Sequence, residues 1–439
     1  MSLKNKFFNY ILLPLAFFLV SLLHFIYPGD KLTLNVLVIY NLILMASLIY
    51  KTLYVKEINL FFLFAFSYLI PLLYFSFANK IITSYSHSDQ LIFLVKYAYL
   101  FCLFFTIIFF FFNKEWNTQN KPEIIRKKSS IIFCGNILVC LLIAFYSKSG
   151  ESLLSSDGYG QTEINNLGGF AVGEYFLLFF FYAYKFSGYK KINQVILLSV
   201  AGIYILKSLA FGLRNEFIQL GIMLFILYYK EKGRSLTYFL FILGGLYFSS
   251  IFASFRSNPS VFLSSSIAEN LSLKNILDNE NDSYISHQGD VIHSSCRLFN
   301  FRDNRIVDNS TITSSSLFFF SSTIIPQKFL PEQANMALYR QADYPIGGGG
   351  SLFAYFYFWF WYPGVILIGL FIGWLIKNYR KYINSLWAPY FILVFSTFPR
   401  WFSYSPINLF KLCVYGMVIY FFYVALDHYM KKIIIKNFI

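Results

Sequence analysis

Charged residues are scarce in this sequence, which argues against an ordinary soluble fold. Only 13% of the 439 residues are charged and 57% are hydrophobic, whereas a soluble domain carries roughly 25% charged residues. Cysteine is scarce too, and the five cysteines show neither a disulfide framework nor the spacing of metal ligands. We therefore expect a membrane protein without a cysteine-based metal centre.

Apolar runs near the length of a membrane-spanning helix recur along the whole chain. Such a helix needs about 20 apolar residues, and backbone groups in lipid must be satisfied internally. The first run is followed by no small-residue cleavage site, so we interpret it as a helix rather than a signal peptide. The sequence predicts an all-α polytopic membrane protein of about twelve transmembrane helices, at 7–27, 32–50, 58–78, 90–112, 130–147, 169–186, 192–209, 214–229, 236–254, 350–376, 386–398 and 405–426.

Lysine and arginine predict the orientation of these helices. When the N-terminus is placed in the cytoplasm, 21 of the 36 basic residues fall in seven short cytoplasmic segments, as the positive-inside rule requires. Both termini are then cytoplasmic. The net charge of +15 is explained by this topology and by anionic lipids of the inner leaflet, and it implies no nucleic-acid partner.

The two basic residue types are divided unequally between the two sides. The cytoplasmic segments hold 18 Lys and 3 Arg, and the rest of the chain holds 8 Lys and 7 Arg. The topology rule does not explain this shift, but arginine matches phosphate with a bidentate fork. The outer arginines are therefore candidates for binding an anion.

One long segment separates the first nine predicted helices (1–254) from the last three with the C-terminal tail (350–439). Residues 255–349 form this segment, and its central part, 257–346, contains no spanning run. We expect a large extracytoplasmic loop, since so long a connection is rarely a simple linker. Within it, residues 264–277 have weak helical spacing, and 317–326 are apolar but too short to span.

Several polar residues at the predicted outer side are candidate site residues. Histidine titrates near neutral pH and suits proton transfer, and ionisable groups in membrane helices usually face a cavity. Arginines at helix ends and glycines at a helix start suit a phosphate. The catalytic candidates are His287, His293, Asp290, Glu174 and Asp343, and the substrate-binding candidates are Arg214, Arg256, Arg340, Arg400, Gly348 and Ser351.

Each candidate also has a purely structural interpretation. Glu216 is a possible partner for Arg214, and Asp343 for Arg340, while the glycine run is compatible with a flexible turn. Arg256 is favourable at a helix C-terminus, and Arg400 lies among aromatic residues where it can snorkel to the interface.

Four short patches stand out at the predicted outer side: Gly212-Leu-Arg-Asn-Glu216, Phe255-Arg-Ser257, Gly347-Gly-Gly-Gly-Ser351 with Tyr362-Pro-Gly364, and Phe398-Pro-Arg400. These patches, together with the layout of one long loop late in the chain, resemble the O-antigen (repeat-unit) polymerases of bacterial surface polysaccharide synthesis. Many relatives carry an acidic residue shortly after the Gly-Ser element, but Leu352–Tyr357 contains none.

The resemblance implies a glycosyltransferase of the bacterial inner membrane with a GT-C-like architecture and a periplasmic loop. Its substrate would be an undecaprenyl-diphosphate-linked oligosaccharide, and its partners would include membrane lipid, a chain-length regulator and a flippase. No carboxylate cluster suggests a hard metal, so we expect no cofactor and metal-independent transfer. An O-antigen ligase and a lipid-linked oligosaccharide flippase remain as alternatives.

Overall fold

A computed structural model shows an almost entirely helical chain. It describes residues 12–78, 90–112, 124–145, 172–210, 214–229, 238, 287–325, 329–330 and 349–438. Within these ranges there is no strand, although one isolated antiparallel bridge joins Lys128 and Ser187. The chain divides into two compact units, one of residues 1–120, 281–380 and 399–407, and the other of residues 121–280, 381–398 and 408–439.

The described ranges contain fifteen helices. The first unit begins with five: α1 (Leu13–Ile26), α2 (Lys31–Lys51), α3 (Lys56–Phe66), α4 (Leu69–Ala78) and α5 (Gln90–Phe110). The second unit follows with α6 (Ser130–Phe145), α7 (Val172–Phe186), α8 (Lys191–Ala210) and α9 (Arg214–Tyr228). The remaining six are α10 (His287–Asp303), α11 (Asn309–Ser322), α12 (Leu352–Tyr382), α13 (Ala388–Ser396), α14 (Phe398–Ser403) and α15 (Ile407–Phe438).

Helices lie at eleven of the twelve predicted spans. The predicted span 236–254 lies outside the described residues except for Tyr238. Within the described residues, five segments are long and apolar enough to cross a membrane: Lys31–Lys51, Lys56–Phe77, Leu91–Phe110, Leu352–Tyr382 and Ile407–Met430. The chain is therefore an all-α protein with the helices of a membrane protein, and twelve crossings remain a prediction.

Part of the expected loop is helical. Helices α10 and α11 lie within it, and neither is among the segments able to cross a membrane, in agreement with the predicted absence of a spanning run. The weak helical pattern at 264–277 lies outside the described residues. Helix α10 packs against α5 and buries Val291, Ile292 and Phe299. Burial of these apolar residues stabilises a helix whose serines give it modest intrinsic propensity.

Helix α11 is started by a carboxylate. Asp308 is its N-cap and accepts a hydrogen bond from the Thr311 N–H at 3.3 Å. The Ser310 hydroxyl also donates to this carboxylate, and these hydrogen bonds lower the pKa of Asp308 to about 2. Because the charged form caps the helix, the cap is complete at neutral pH and is lost as the pH falls through that value.

Aromatic packing forms the core of the first unit. Helix α5 packs against α1, α2 and α10, and Phe105 in its middle is fully buried. The ring of Phe61 lies 5.5 Å from that of Trp401 and 5.7 Å from that of Phe402. Such tilted and edge-on pairs add to the free energy of apolar burial.

Helix α12 is broken near its first third. Trp361 has φ 58° and ψ −149°, a non-helical conformation that joins two helical pieces. Pro363 follows and offers no backbone N–H to the preceding turn. At Gly364 an added Cβ would lie 2.2 Å from the Phe356 carbonyl oxygen, so the two pieces meet too closely for any side chain.

The second unit packs α6 against α7 and α8, and α9 against α7, α8 and α13. The Tyr182 hydroxyl donates to the Gly416 carbonyl of α15, and the Tyr423 hydroxyl donates to the Asn136 side chain at 3.0 Å. Hydrogen bonds between buried polar groups of neighbouring helices thus fix the position of α15 within this unit.

The close approach at Gly349 predicts a stability effect. An added Cβ there would lie 2.0 Å from the Tyr404 carbonyl oxygen and 2.3 Å from its Cα, and backbone atoms yield poorly. We expect Gly349→Ala to lower the free energy of unfolding by about 1–3 kcal/mol, as other overpacking substitutions do. The measurement is thermal or denaturant unfolding of the detergent-solubilised protein.

Gly202→Ala is the matched control, because nothing lies within 4 Å of the Cβ position at this glycine of α8. There we expect a gain of up to about 1 kcal/mol from helix propensity. Equal unfolding midpoints for Gly349→Ala and the wild type would contradict the packing described for this segment.

Candidate functional site

An ion pair joins α10 to α5 in the first unit. Lys96, within an apolar helix, pairs with Asp303 at the end of α10. The Tyr357 hydroxyl of α12 donates to the other carboxylate oxygen at 2.7 Å, and the Lys96 ammonium lies 4.9 Å from the Tyr357 ring centroid. The side chains of Lys96 and Asp303 are 16% and 21% exposed, so this cluster is largely, but not completely, removed from solvent.

Arg302 lies next to this cluster. Its guanidinium carbon is 5.1 Å from the Trp361 ring centroid, and its Nη1 donates to the Asn309 side chain at 3.2 Å. Burial lowers the pKa of Arg302, while Tyr357 and Asp303 act in the opposite direction. Since free arginine has a pKa above 12, the group stays cationic at neutral pH.

The serine of the Gly-Ser element, Ser351, makes hydrogen bonds to other helices of the first unit. Ser351 is fully buried, its N–H donates to the Ser295 hydroxyl at 2.9 Å, and its own hydroxyl shares a hydrogen bond with Tyr97 at 3.0 Å. The Tyr355 hydroxyl donates to the Tyr404 carbonyl at 3.0 Å. Ser351 thus uses its N–H and its hydroxyl in hydrogen bonds to α10 and α5. Gly348 lies outside the described residues, so phosphate binding at this element stays a prediction.

The structure places the predicted histidines in a helix rather than in a loop. His293 is half-buried in α10, and burial together with the nearby Arg297 lowers its pKa to about 4. It is therefore neutral at pH 7 and a weaker proton acceptor than an exposed histidine. Asp290 is exposed in the first turn of α10, where the helix dipole favours a carboxylate. His287 begins α10, but its side chain lies outside the described residues.

The predicted arginine cluster is described only in part. Arg400, in α14, is half-buried, and its guanidinium carbon lies 5.5 Å from the Tyr404 ring centroid. Arg214 begins α9, and its side chain is not described. Four other predicted site residues lie outside the described ranges, namely Arg256, Arg340, Asp343 and Gly348. The convergence of the arginines on one cavity therefore stays a prediction.

A second set of ionisable residues lies within the second unit. Glu174, in the first turn of α7, is buried and accepts a hydrogen bond from the Asn408 side chain at 2.6 Å. The Tyr204 hydroxyl donates to Glu216 of α9. The Lys207 ammonium donates to the Ile143 carbonyl at 2.9 Å and lies 5.9 Å from the Tyr204 ring centroid. The ends of α7, α8, α9 and α15 thus bring two carboxylates and a lysine to one region.

Sequence reasoning missed Asp303, Tyr357 and Tyr204. Lys96 was the available signal, because a cation in an apolar helix needs an anionic partner. Nothing in the spacing showed that the partner lies more than 200 residues later, in the expected loop. Within the described ranges no three His, Cys, Asp or Glu side chains come together as metal ligands would, and metal independence stays a prediction.

The fold and composition define an all-α protein with helices able to cross a membrane. No family model, no curated protein and no solved structure matches the chain. We therefore infer a function from two clusters of ionisable residues. One contains Lys96 and Asp303 in the first unit, and the other contains Glu174, Glu216 and Lys207 in the second unit.

The ion pair in the first unit predicts a coupling between two residues. Lys96→Met leaves the Asp303 carboxylate partly buried without its cation, and Asp303→Asn leaves Lys96 without its anion. We expect each single substitution to cost about 2 kcal/mol of unfolding free energy. The double variant should lose less than the sum of the two, by about 1 kcal/mol.

The measurement is a double-mutant cycle on the purified protein in detergent. Lys377→Met is the control, because Lys377 is an exposed lysine of α12, and exposed charges contribute little. Additive losses at Lys96 and Asp303 would show that the two side chains do not stabilise each other.

Proposed function

We propose that this chain polymerises polyprenyl-diphosphate-linked oligosaccharide repeat units into O-antigen or a related surface polysaccharide. The observation that carries the proposal is the cluster of Lys96, Asp303 and Tyr357. It joins two apolar helices, α5 and α12, to α10, which belongs to the segment that the sequence places outside the membrane. A site between helices able to cross a membrane and a segment predicted to be external suits a substrate whose diphosphate lies at the membrane surface and whose glycan lies in water.

The reaction transfers a glycan from one lipid carrier to the terminal sugar of another. The acceptor hydroxyl attacks the anomeric carbon, its proton passes to a base, and the bond to the diphosphate oxygen breaks with its electron pair. Cations that stabilise the charge developing on the diphosphate accelerate such a step. The candidate bases remain His287, His293, Asp290, Glu174 and Asp343, and Asp303, the other carboxylate of α10, joins them.

The arginines retain their proposed role at the diphosphate. Arg214, Arg256, Arg340 and Arg400 present a fork that a lysine lacks, and none of them is needed for the positive-inside rule. We propose that this clamp replaces a divalent cation. The proposed polymerase would act on the lipid-linked oligosaccharide and have membrane lipid, a chain-length regulator and a flippase as partners. It would lie in the inner membrane with both termini in the cytoplasm.

A transporter is the second candidate, and the second unit favours it. Glu174 and Glu216 are carboxylates in apolar helices with tyrosine and asparagine partners, and Lys207 lies near them. Buried ionisable groups of this kind mark proton relays and substrate pathways in transporters. An O-antigen ligase would use the same chemistry as the polymerase but deliver the glycan to the lipid A core.

The glycan made by cells that lack the gene distinguishes these functions. For a polymerase we expect single repeat units on the lipid core, with long chains restored by the wild-type gene. The measurement is electrophoresis of lipopolysaccharide together with extraction of lipid-linked glycans.

Each alternative function predicts a different glycan. Long lipid-linked chains that never reach the core would identify a ligase. Repeat units that accumulate on the cytoplasmic face would identify a flippase. Either result would contradict the proposed polymerase.

A further inference from the structure

Trp361 holds a backbone conformation that L-residues rarely adopt. Its φ of 58° with ψ of −149° belongs to a region that is essentially glycine's, and such strain usually persists where the surroundings or a function require it. The side chain is 44% exposed, so burial of the indole does not account for the strain. One face of the ring meets the guanidinium of Arg302 at 5.1 Å. The break in α12 thus presents an indole to a cation at the protein surface.

Neighbouring side chains orient the guanidinium of Arg302, but one of its N–H donors has no hydrogen-bond acceptor among the described residues. Its guanidinium lies over the Trp361 ring, and Asn309 accepts from Nη1. Its Nε–H is buried and has no hydrogen-bond partner among the residues that the structure describes. A buried donor without an acceptor is costly, and a guanidinium fork is suited to a bidentate anion.

The nearest carboxylate does not supply this anion. Asp303 follows Arg302 in the chain and contributes to its electrostatic environment, but both of its oxygens have other partners. One accepts from Lys96 and the other from Tyr357. Among the described residues, the Nε–H of Arg302 therefore lacks an acceptor, and an anion bound at this edge of the guanidinium would supply one.

The surroundings indicate where such an anion would come from. Phe25 is 63% exposed, and its ring lies 6.2 Å from that of Tyr362, next to Trp361 in sequence. Exposed Ile26 and Tyr27 extend this apolar and aromatic surface. Tryptophan and tyrosine concentrate at the level of lipid headgroups, where the available anions are lipid phosphates.

We propose that Arg302 and Trp361 form a binding site for the phosphate group of a membrane lipid. The Trp361 ring supports the guanidinium, and the edge of the guanidinium that contains the unpartnered Nε–H donates to the phosphate oxygens. The lipid is either an anionic phospholipid or the polyprenyl carrier, and only the second case rests on the proposed function. Arg302 is one of the arginines outside the predicted cytoplasmic segments, and, like Arg400, it lies over an aromatic ring.

The test compares lipid binding by purified protein in detergent. Native mass spectrometry would measure the affinity for phosphatidylglycerol, for undecaprenyl phosphate and for diacylglycerol, which lacks a phosphate. We expect Arg302→Gln to weaken binding of at least one phosphate-bearing lipid by tenfold or more, since hydrogen bonds to a charged group are lost. Binding of diacylglycerol should not change. Arg302→Lys keeps the charge without the fork, and its affinity should fall between those of the wild type and Arg302→Gln.

Arg305→Gln is the matched control, because Arg305 is exposed and lies three residues from Arg302. A loss confined to phosphatidylglycerol identifies a structural phospholipid, and a loss with undecaprenyl phosphate identifies the carrier. Equal losses for Arg302→Gln and Arg305→Gln, or an equal loss with diacylglycerol, would overturn the proposal. This binding assay does not depend on activity, so its result is independent of whether the glycan of the deletion strain supports a polymerase.

Discussion

A lysine within an apolar helix is the constraint on which the first unit depends. The side chain of Lys96 is only 16% exposed, and a charge in such surroundings is costly unless it is paired. Asp303 supplies the pair, and Tyr357 supplies a further hydrogen bond. Because Asp303 ends α10 and Tyr357 lies in α12, this one requirement fixes two elements against α5. The polar cluster is therefore a structural joint and the best candidate for a site.

Packing around that joint explains the glycine and serine that precede α12. Gly349 passes so close to the Tyr404 backbone that only glycine fits, and Ser351 bonds to Ser295 and Tyr97. These contacts hold the start of α12 against α10 and α5. Gly349 and Ser351 thus contribute to the assembly of the unit, and phosphate binding by the glycine run stays a prediction.

The sequence predicted the apolar helices well because each is recognised by its own composition. Helix α5 and the long α15 needed no knowledge of their neighbours. Helices α10 and α11 were not predicted as packed elements, since their polar composition resembles that of a loop and their apolar residues are buried only against other helices. The same limit applied to the site. Lys96 is an anomaly in an apolar helix, but its partner Asp303 is distant in sequence and is found only from the fold.

We propose that the helices of this chain carry a glycan-polymerising site, and reconstitution of the purified protein tests this proposal most directly. The purified chain would be placed in liposomes with undecaprenyl-diphosphate-linked repeat units and no other protein, and the lipid-linked products would be separated by length. The account predicts a ladder of products that differ by one repeat unit, accompanied by release of undecaprenyl diphosphate. A folded protein that binds the substrate but yields only single repeat units and no released carrier would contradict it.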